Sequence, residues 1–222
     1  LTQVSVAMEA IATMESQHKG QLNIGAVAPS NYFAPRIVAA FLRQFPAVRI
    51  KLTVDNRDAL LGMLAEHRLD YVFSGYPPAE AEVEVETFAR HPHCLVAHSE
   101  HPLLEKKNLH WHDLQFEPFI LREVGSTTRK FFEHLLQTQR LQVNINFELH
   151  GNEAVKHAVI AGLGVSFLSA HVFQPELRLK QIGVLDVVDM PKWLDWCILN
   201  RREPQASAIK QIALCLFLAS RL

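Results

Sequence analysis

The chain has 222 residues, 49% of them hydrophobic and 20% charged, with a formal net charge of -1. That is material for one large globular domain or two small lobes, and it gives no electrostatic ground for nucleic-acid binding by this segment. Three widely spaced cysteines (Cys94, Cys197, Cys215) exclude a disulfide framework, and no apolar run has transmembrane length or the form of a signal peptide, so a cytoplasmic protein with reduced thiols is expected.

Over residues 1–17 the apolar positions Val4, Ala7, Met8, Ile11 and Met14 recur at helical spacing, and Lys19-Gly20 supplies a stop. The pattern is already under way at residue 1, without an initiator Met. The segment therefore reads as the end of a longer helix and the chain as a fragment whose N-terminal domain is missing; a complete chain with a processed N-terminus is the alternative. Residues 21–27 read as a buried strand and Ala28-Pro29-Ser30-Asn31 as a turn. Phe33, Ile37, Phe41 and Phe45 then form one helical stripe. Pro35 is harmless only near a first turn, which puts the helix start close to residues 30–32, and Pro46 ends it. Residues 48–54 alternate as a half-buried strand. Asn56 caps a helix to about Arg68, and residues 70–75 are a short apolar strand. This βαβαβ order implies a parallel sheet with right-handed crossovers.

Residues 83–88 and 94–97 read as separate strands divided by Arg90-His91-Pro92-His93, and residues 111–116 as a short helical turn. A second alternation follows: strand 119–121, helix 126–141, strand 144–149, helix 152–161 and strand 165–168, with Gly162 and Gly164 in a tight turn. Beyond Pro175 the pattern gives strands near 184–188 and 196–200 and a final helix from about 204 to 222. The fold class expected is α/β, two Rossmann-like lobes joined by crossing strands. Sites in such open sheets lie at the carboxyl ends of the strands, where two facing lobes share a cleft.

Three polar helix starts follow predicted strands: Ser30-Asn31, Ser126-Thr127-Thr128 and Asn152-Glu153. Free N–H groups and the helix dipole favour an anion at such ends, although capping alone also explains Ser, Thr and Asn there. Arg122 and Arg129 flank the second start. Either can hold a carboxylate or phosphate through paired hydrogen bonds, or can sit in a surface or inter-lobe ion pair. Glu123 can orient Arg122, bind a guest hydroxyl or face solvent. Among twelve histidines, the clusters at 91–93, 98–101 and 110–112 match no zinc spacing, and Cys94 beside His93 reads as core, so no metal is expected. There is no Gly-x-Ser-x-Gly elbow, P-loop or dinucleotide fingerprint, and Ser169-Ala170-His171 is not a triad. The chain therefore reads as a binder and not an enzyme, with no cofactor.

Several stretches resemble the effector-binding domain of LysR-type transcriptional regulators. They are Tyr32-Phe33-Ala34-Pro35-Arg36, the run 52–57, the run 120–129, Asn152-Glu153-Ala154-Val155-Lys156-His157-Ala158-Val159 and the run 161–166. More narrowly they are similar to the subgroup that controls RuBisCO operons. The resemblance implies a fold like type II periplasmic binding proteins. It divides the chain into the end of a linker helix (1–19), a first lobe (20–93 with 200–222) and a second lobe (94–199). A DNA-binding winged helix-turn-helix would precede the chain, with self-association as a dimer and, in full length, a tetramer. It implies no membrane contact. It places a small anionic metabolite effector against Ser30, Asn31, Tyr76, Arg122, Ser126, Thr127, Thr128 and Asn152. Asn31 stands where such regulators often carry Lys and Tyr76 where they often carry Arg. Thr127 replaces a common Gly and His150 a common Ser. Both losses of a cation point to a small anion with one acidic group, or a different effector, over ribulose bisphosphate. A solute-binding protein for uptake is the competing reading of the same lobes.

Overall fold

The computed structural model describes residues 20–75, 83–202 and 208–219. The predicted linker helix and Tyr76 lie outside the described residues. Strand β1 (Gln21–Val27) runs parallel to β2 (Arg49–Asp55) on one side and to β3 (Tyr71–Ser74) on the other. Leu22, Ile24 and Ala26 are fully buried, as expected for a central parallel strand covered on both faces. Helix α1 (Ala34–Gln44) buries Ala34, Ile37 and Phe41 from its apolar stripe. It begins later than the sequence suggested. Residues Ala28–Tyr32 form a separate 3-10 turn, because Ser30 Oγ donates back to Val27 O at 2.6 Å and Phe33 N–H closes on Ser30 O at 3.0 Å. Helix α2 (Arg57–Ala65) is capped by Asn56, whose side chain accepts from Ala59 N–H at 2.9 Å.

The predicted break at residues 90–93 is absent. Strand β4 runs unbroken from Val83 to His98. It pairs antiparallel with β9 (Lys192–Arg201) over most of its length, and a bulge between Thr87 and Ala89 takes up the misregister. Pro92 is tolerated because β7 (Ser166–Ser169) joins the other side of β4 only from His93 onward. These two long strands carry the chain from one half of the molecule to the other. The main sheet has the order β2-β1-β3-β9-β4-β7, with β8 (Ile182–Val184) also on β4.

In the other half, β5 (Pro118–Arg122) and β6 (Asn144–Leu149) are parallel, connected through α3 (Thr127–Thr138). Helix α4 (Asn152–Ile160) leads to β7 (Ser166–Ser169). Val165, just before β7, exchanges hydrogen bonds with β5 (2.9 Å to Ile120 N, 2.8 Å to Pro118 O), which joins the two sheets. Helix α5 (Ala170–Arg178) was not foreseen, because Pro175 lies inside it. Burial of Val172 and Phe173 outweighs the hydrogen bond that the proline forfeits.

The first half has one core in which Phe33, Phe41, Phe73, Trp196 and Phe217 (from α6, Ala208–Ala219) meet. The second has a core on each face of its sheet. Leu95, Ala97, Phe119 and Leu121 face Phe132 and Phe167, while Cys94, Val96 and Ile120 face Val155, Val159 and Phe173. That two-residue alternation is the signature of strands clothed on both sides.

Candidate functional site

The carboxyl ends of β1, β2 and β3 converge on the start of α3. Val27, Ala28 and Pro29, then Asp55, Asn56 and Arg57, then Gly75, form one wall of a hollow between the halves. Arg122, Ser126, Thr127 and Thr128 form the opposite wall, and His91, His93, Leu194 and Trp196 from the crossing strands form its floor. The space left for water centres is about 20 Å³, room for about one water, so a guest of several heavy atoms requires the walls to part. A second hollow of about 390 Å³ opens outward, lined by Ala28, Asn31, Tyr32 and residues 150–154. Ala28 borders both.

Gly125 sits at φ +90, a value open to glycine, and turns the chain from β5 into α3. Ser126 is the N-cap and accepts from Arg129 N–H at 3.5 Å. Thr127 Oγ1 is buried with no hydrogen-bond partner among the described residues, and Ser126 and Thr128 are buried. The first turn of α3 thus presents unsatisfied polar groups at the positive end of a helix dipole.

Arg122 is not a free cation. Its Nε and Nη2 donate to the two oxygens of Glu123 at 2.8 and 2.7 Å, and its Nη1 donates to Asn152 Oδ1. Glu123 also accepts from Gly151 N–H at 3.1 Å. Burial pushes the Glu123 carboxyl up, but these hydrogen bonds outweigh it and hold its pKa at about 2. Arg129 is held by Glu133 and Glu148 and donates to Arg122 O at 3.0 Å, so it braces the strand end without entering the hollow.

Two predicted caps do not cap. Ser30 turns inward onto Val27, as described above. Asn152 is the first residue of α4, with Gly151 as its N-cap, and its Oδ1 is taken by Arg122 while its Nδ2 is buried without a partner among the described residues. Asn31 is exposed and borders the outer hollow with Asn152. The structure therefore gathers Arg122, Ser126, Thr127 and Thr128 in the inner hollow and Asn31 and Asn152 in the outer one, with Ser30 buried between the strand end and α1. In the sequence His91 and His93 stand out only as candidate metal ligands and Asn56 only as a helix cap, and nothing there marks Arg57 or Trp196 as lining a site. The signal available was strand parity, which puts residues 91 and 93 on one face; Trp196 joins them only through β9. Among the described residues no group of three or more His, Cys, Asp or Glu side chains is placed to hold a metal, and no helix is long and apolar enough to cross a membrane.

A sequence profile of the family described as LysR substrate binding domain matches residues 15–216. The chain belongs to that family. It is 34% identical over 203 residues to the HTH-type transcriptional activator CmpR of Synechocystis sp. (strain ATCC 27184 / PCC 6803 / Kazusa), covering 91% of this chain and 67% of that protein. It is 38% identical over 201 residues to the HTH-type transcriptional regulator CbbR of Rhodospirillum rubrum, covering 90% and 66%. The chain thus spans about two thirds of the length of these curated relatives, which are regulators and not enzymes. The regulatory domain of Synechocystis PCC6803 CcmR, in complex with 2-PG, superposes with a TM-score of 0.85 at 30% identity, covering 90% of this chain and 96% of that one. The effector-binding domain of QuiR in complex with shikimate has a TM-score of 0.80 at 15% identity, covering 90% and 96%, a likeness of fold. The resemblance to RuBisCO-operon regulators and to the type II periplasmic-binding fold holds.

Proposed function

We propose that this chain is the effector-binding domain of a transcriptional regulator, and that it senses a small anionic metabolite at the start of α3. The observation that carries this reading is the cluster Ser126-Thr127-Thr128. A helix start with an unsatisfied buried hydroxyl faces three strand ends across a closed hollow, in a chain of the LysR family. With the Arg122 charge already matched by Glu123, helix N–H groups and hydroxyls are left to hold the anion. That supports a compact guest over a doubly phosphorylated sugar. The 2-PG (2-phosphoglycolate) held by CcmR is of this class. Guest binding would change how the two halves sit, and through self-association and an N-terminal DNA-binding domain it would alter the grip on an operator. Division into a first lobe of 20–93 with 200–222 and a second of 94–199 belongs to the same proposal. Uptake of solutes is not favoured, because the relatives regulate transcription.

Calorimetric titration with 2-phosphoglycolate and ribulose bisphosphate tests the reading. The first is expected to bind more tightly. Thr127→Val should weaken it about ten-fold or more, since a hydrogen bond to a charged group is worth roughly 1.5–3 kcal/mol. Its stability should not fall, because the lost hydroxyl has no hydrogen-bond partner among the described residues. Equal affinity in Thr127→Val and wild type would remove α3 from the site.

A further inference from the structure

The floor of the inner hollow holds three polar side chains whose hydrogen bonds are incomplete. His91 and His93 are 1% and 2% exposed and Trp196 is fully buried. Among the described residues His93 Nδ1 and Trp196 Nε1 are buried with no hydrogen-bond partner, and His91 Nε2 has only the Gly75 backbone beside it. Among the described residues the side-chain partner of His91 is Ser169 Oγ, 3.0 Å from Nδ1, while Nε2 lies against the Gly75 backbone. A native interior leaves few such atoms, and their clustering at one spot points to a hydrogen-bonding partner that arrives from outside. Gly75 packs directly against this floor: a Cβ there would lie in ordinary contact, 3.4 Å from Trp196 Cζ3 and 3.5 Å from His91 Nε2.

The rings are fixed in place. His91 stacks on Trp196 with centroids 4.1 Å apart and meets His93 edge-on at 4.6 Å, and His93 stacks on Phe167 at 5.2 Å. His171 from α5 lies 5.8 Å from His91. Among the described residues the titratable and polar groups around the pair are each other, His171 (α5), Ser169 (β7), Trp196 (β9) and the Gly75 backbone, with Asp55, Asn56, Arg57, Arg122 and the Ser126–Thr128 hydroxyls elsewhere on the hollow walls. Burial, then the neighbouring histidines, drives His91 down to about 3 and His93 well below the usual imidazole value.

We propose that His91, His93 and Trp196 form a neutral hydrogen-bonding floor that grips the second end of the effector, an oxygen acceptor such as a carboxylate or hydroxyl lying beyond the acidic head held at α3. This deepens and rests on the effector reading above. In the tautomer in which Ser169 Oγ donates to His91 Nδ1, the imidazole carries its hydrogen on Nε2, and the indole is a donor in any state. The effector class is thus a short two-ended molecule, and a bare anion fills only half the site. Selection at the floor is by acceptor geometry and not by added positive charge.

The test compares three probes by calorimetry on the chain as it stands: inorganic phosphate, glycolate and 2-phosphoglycolate. The expected result is that 2-phosphoglycolate binds at least ten-fold more tightly than either half. His91→Leu and His93→Leu should each remove about ten-fold from its affinity while leaving phosphate binding unchanged, and His93→Gln should recover part of the loss. Thermal melts of the variants check that they fold. Nitrogen-15 NMR of histidine-labelled protein between pH 5.5 and 8 should show both rings neutral, with a ring nitrogen of each moving on saturation with 2-phosphoglycolate. Two-ended and bare anions binding equally, unchanged affinity in both Leu variants, or imidazolium signals in the complex would each overturn the floor while the effector reading stands. Absence of binding to all three probes would overturn both.

Discussion

Glu123 is the side chain on which the second wall of the hollow depends. It neutralises a buried guanidinium and also accepts the Gly151 N–H that opens α4. Its carboxyl titrates near pH 2, below its unfolded value of about 4.3, so it contributes stability that is present above pH 4.3 and is lost as pH falls through 2. Allowing for partial solvent screening, that contribution is on the order of 2 kcal/mol at neutral pH. Glu123→Gln should therefore lower urea stability by about this amount at pH 7, and the gap to wild type should close as the pH falls from 4.3 to 2. A gap independent of pH would show that charge pairing is not its role. The same geometry makes Arg122→Ala a poor probe of effector contact, because it leaves the carboxylate buried alone.

Between elements, the helix starts divide by what their capping side chains do. Asn56 makes a 2.9 Å cap bond to Ala59 N–H, whereas the Ser126 bond to Arg129 N–H stretches to 3.5 Å. Asn56→Ala should cost about 1 kcal/mol in chemical denaturation and Ser126→Ala clearly less, with Ser126→Ala affecting affinity more than stability. The β5–β7 junction is less tolerant. A Cβ on Gly164 would fall 2.1 Å from the Pro118 carbonyl oxygen, the same oxygen that accepts Val165 N–H at 2.8 Å. Gly164→Ala forces backbone apart at the join of two sheets and should cost on the order of 3 kcal/mol. A thermal midpoint within 2 °C or so of wild type would disprove that crowding.

Across the whole molecule, the halves are tied by small polar contacts over the hollow. Tyr32, in the turn after β1, donates to Glu153 at the start of α4, and Glu153 also holds Lys156, which pairs with Glu176 at 2.7 Å. On the far side Lys130 of α3 reaches both oxygens of Asp58 in α2, at 3.0 and 2.8 Å. The Lys130–Asp58 pair is about half exposed, so it is worth less than ~1 kcal/mol. Contacts of that size bias an open–closed equilibrium by a few fold without locking it. Tyr32→Phe combined with Lys130→Ala should enlarge the radius of gyration in small-angle X-ray scattering, and saturating effector should reverse the change. No difference between variant and wild type would mean that the crossing strands alone set the separation of the halves.

The sequence by itself determined the α/β alternation, the parallel order of the first three strands, the Ser126–Thr128 helix start and the family. Hydrophobic period, glycine and proline placement and cap residues are local properties, and those carry this information. It could not foresee that β4 runs through Pro92, since that depends on β9, a hundred residues on, pairing with it while β7 stays clear of the proline. Nor could it foresee α5, where core burial of Val172 and Phe173 overrides Pro175. Whether Arg122 was free or spent, whether Ser30 faced the hollow or its own strand, and whether two histidines and a tryptophan shared one floor were decided only by the tertiary structure. Partners distant in the chain fix a side chain's charge balance and direction, and no local pattern records who those partners are.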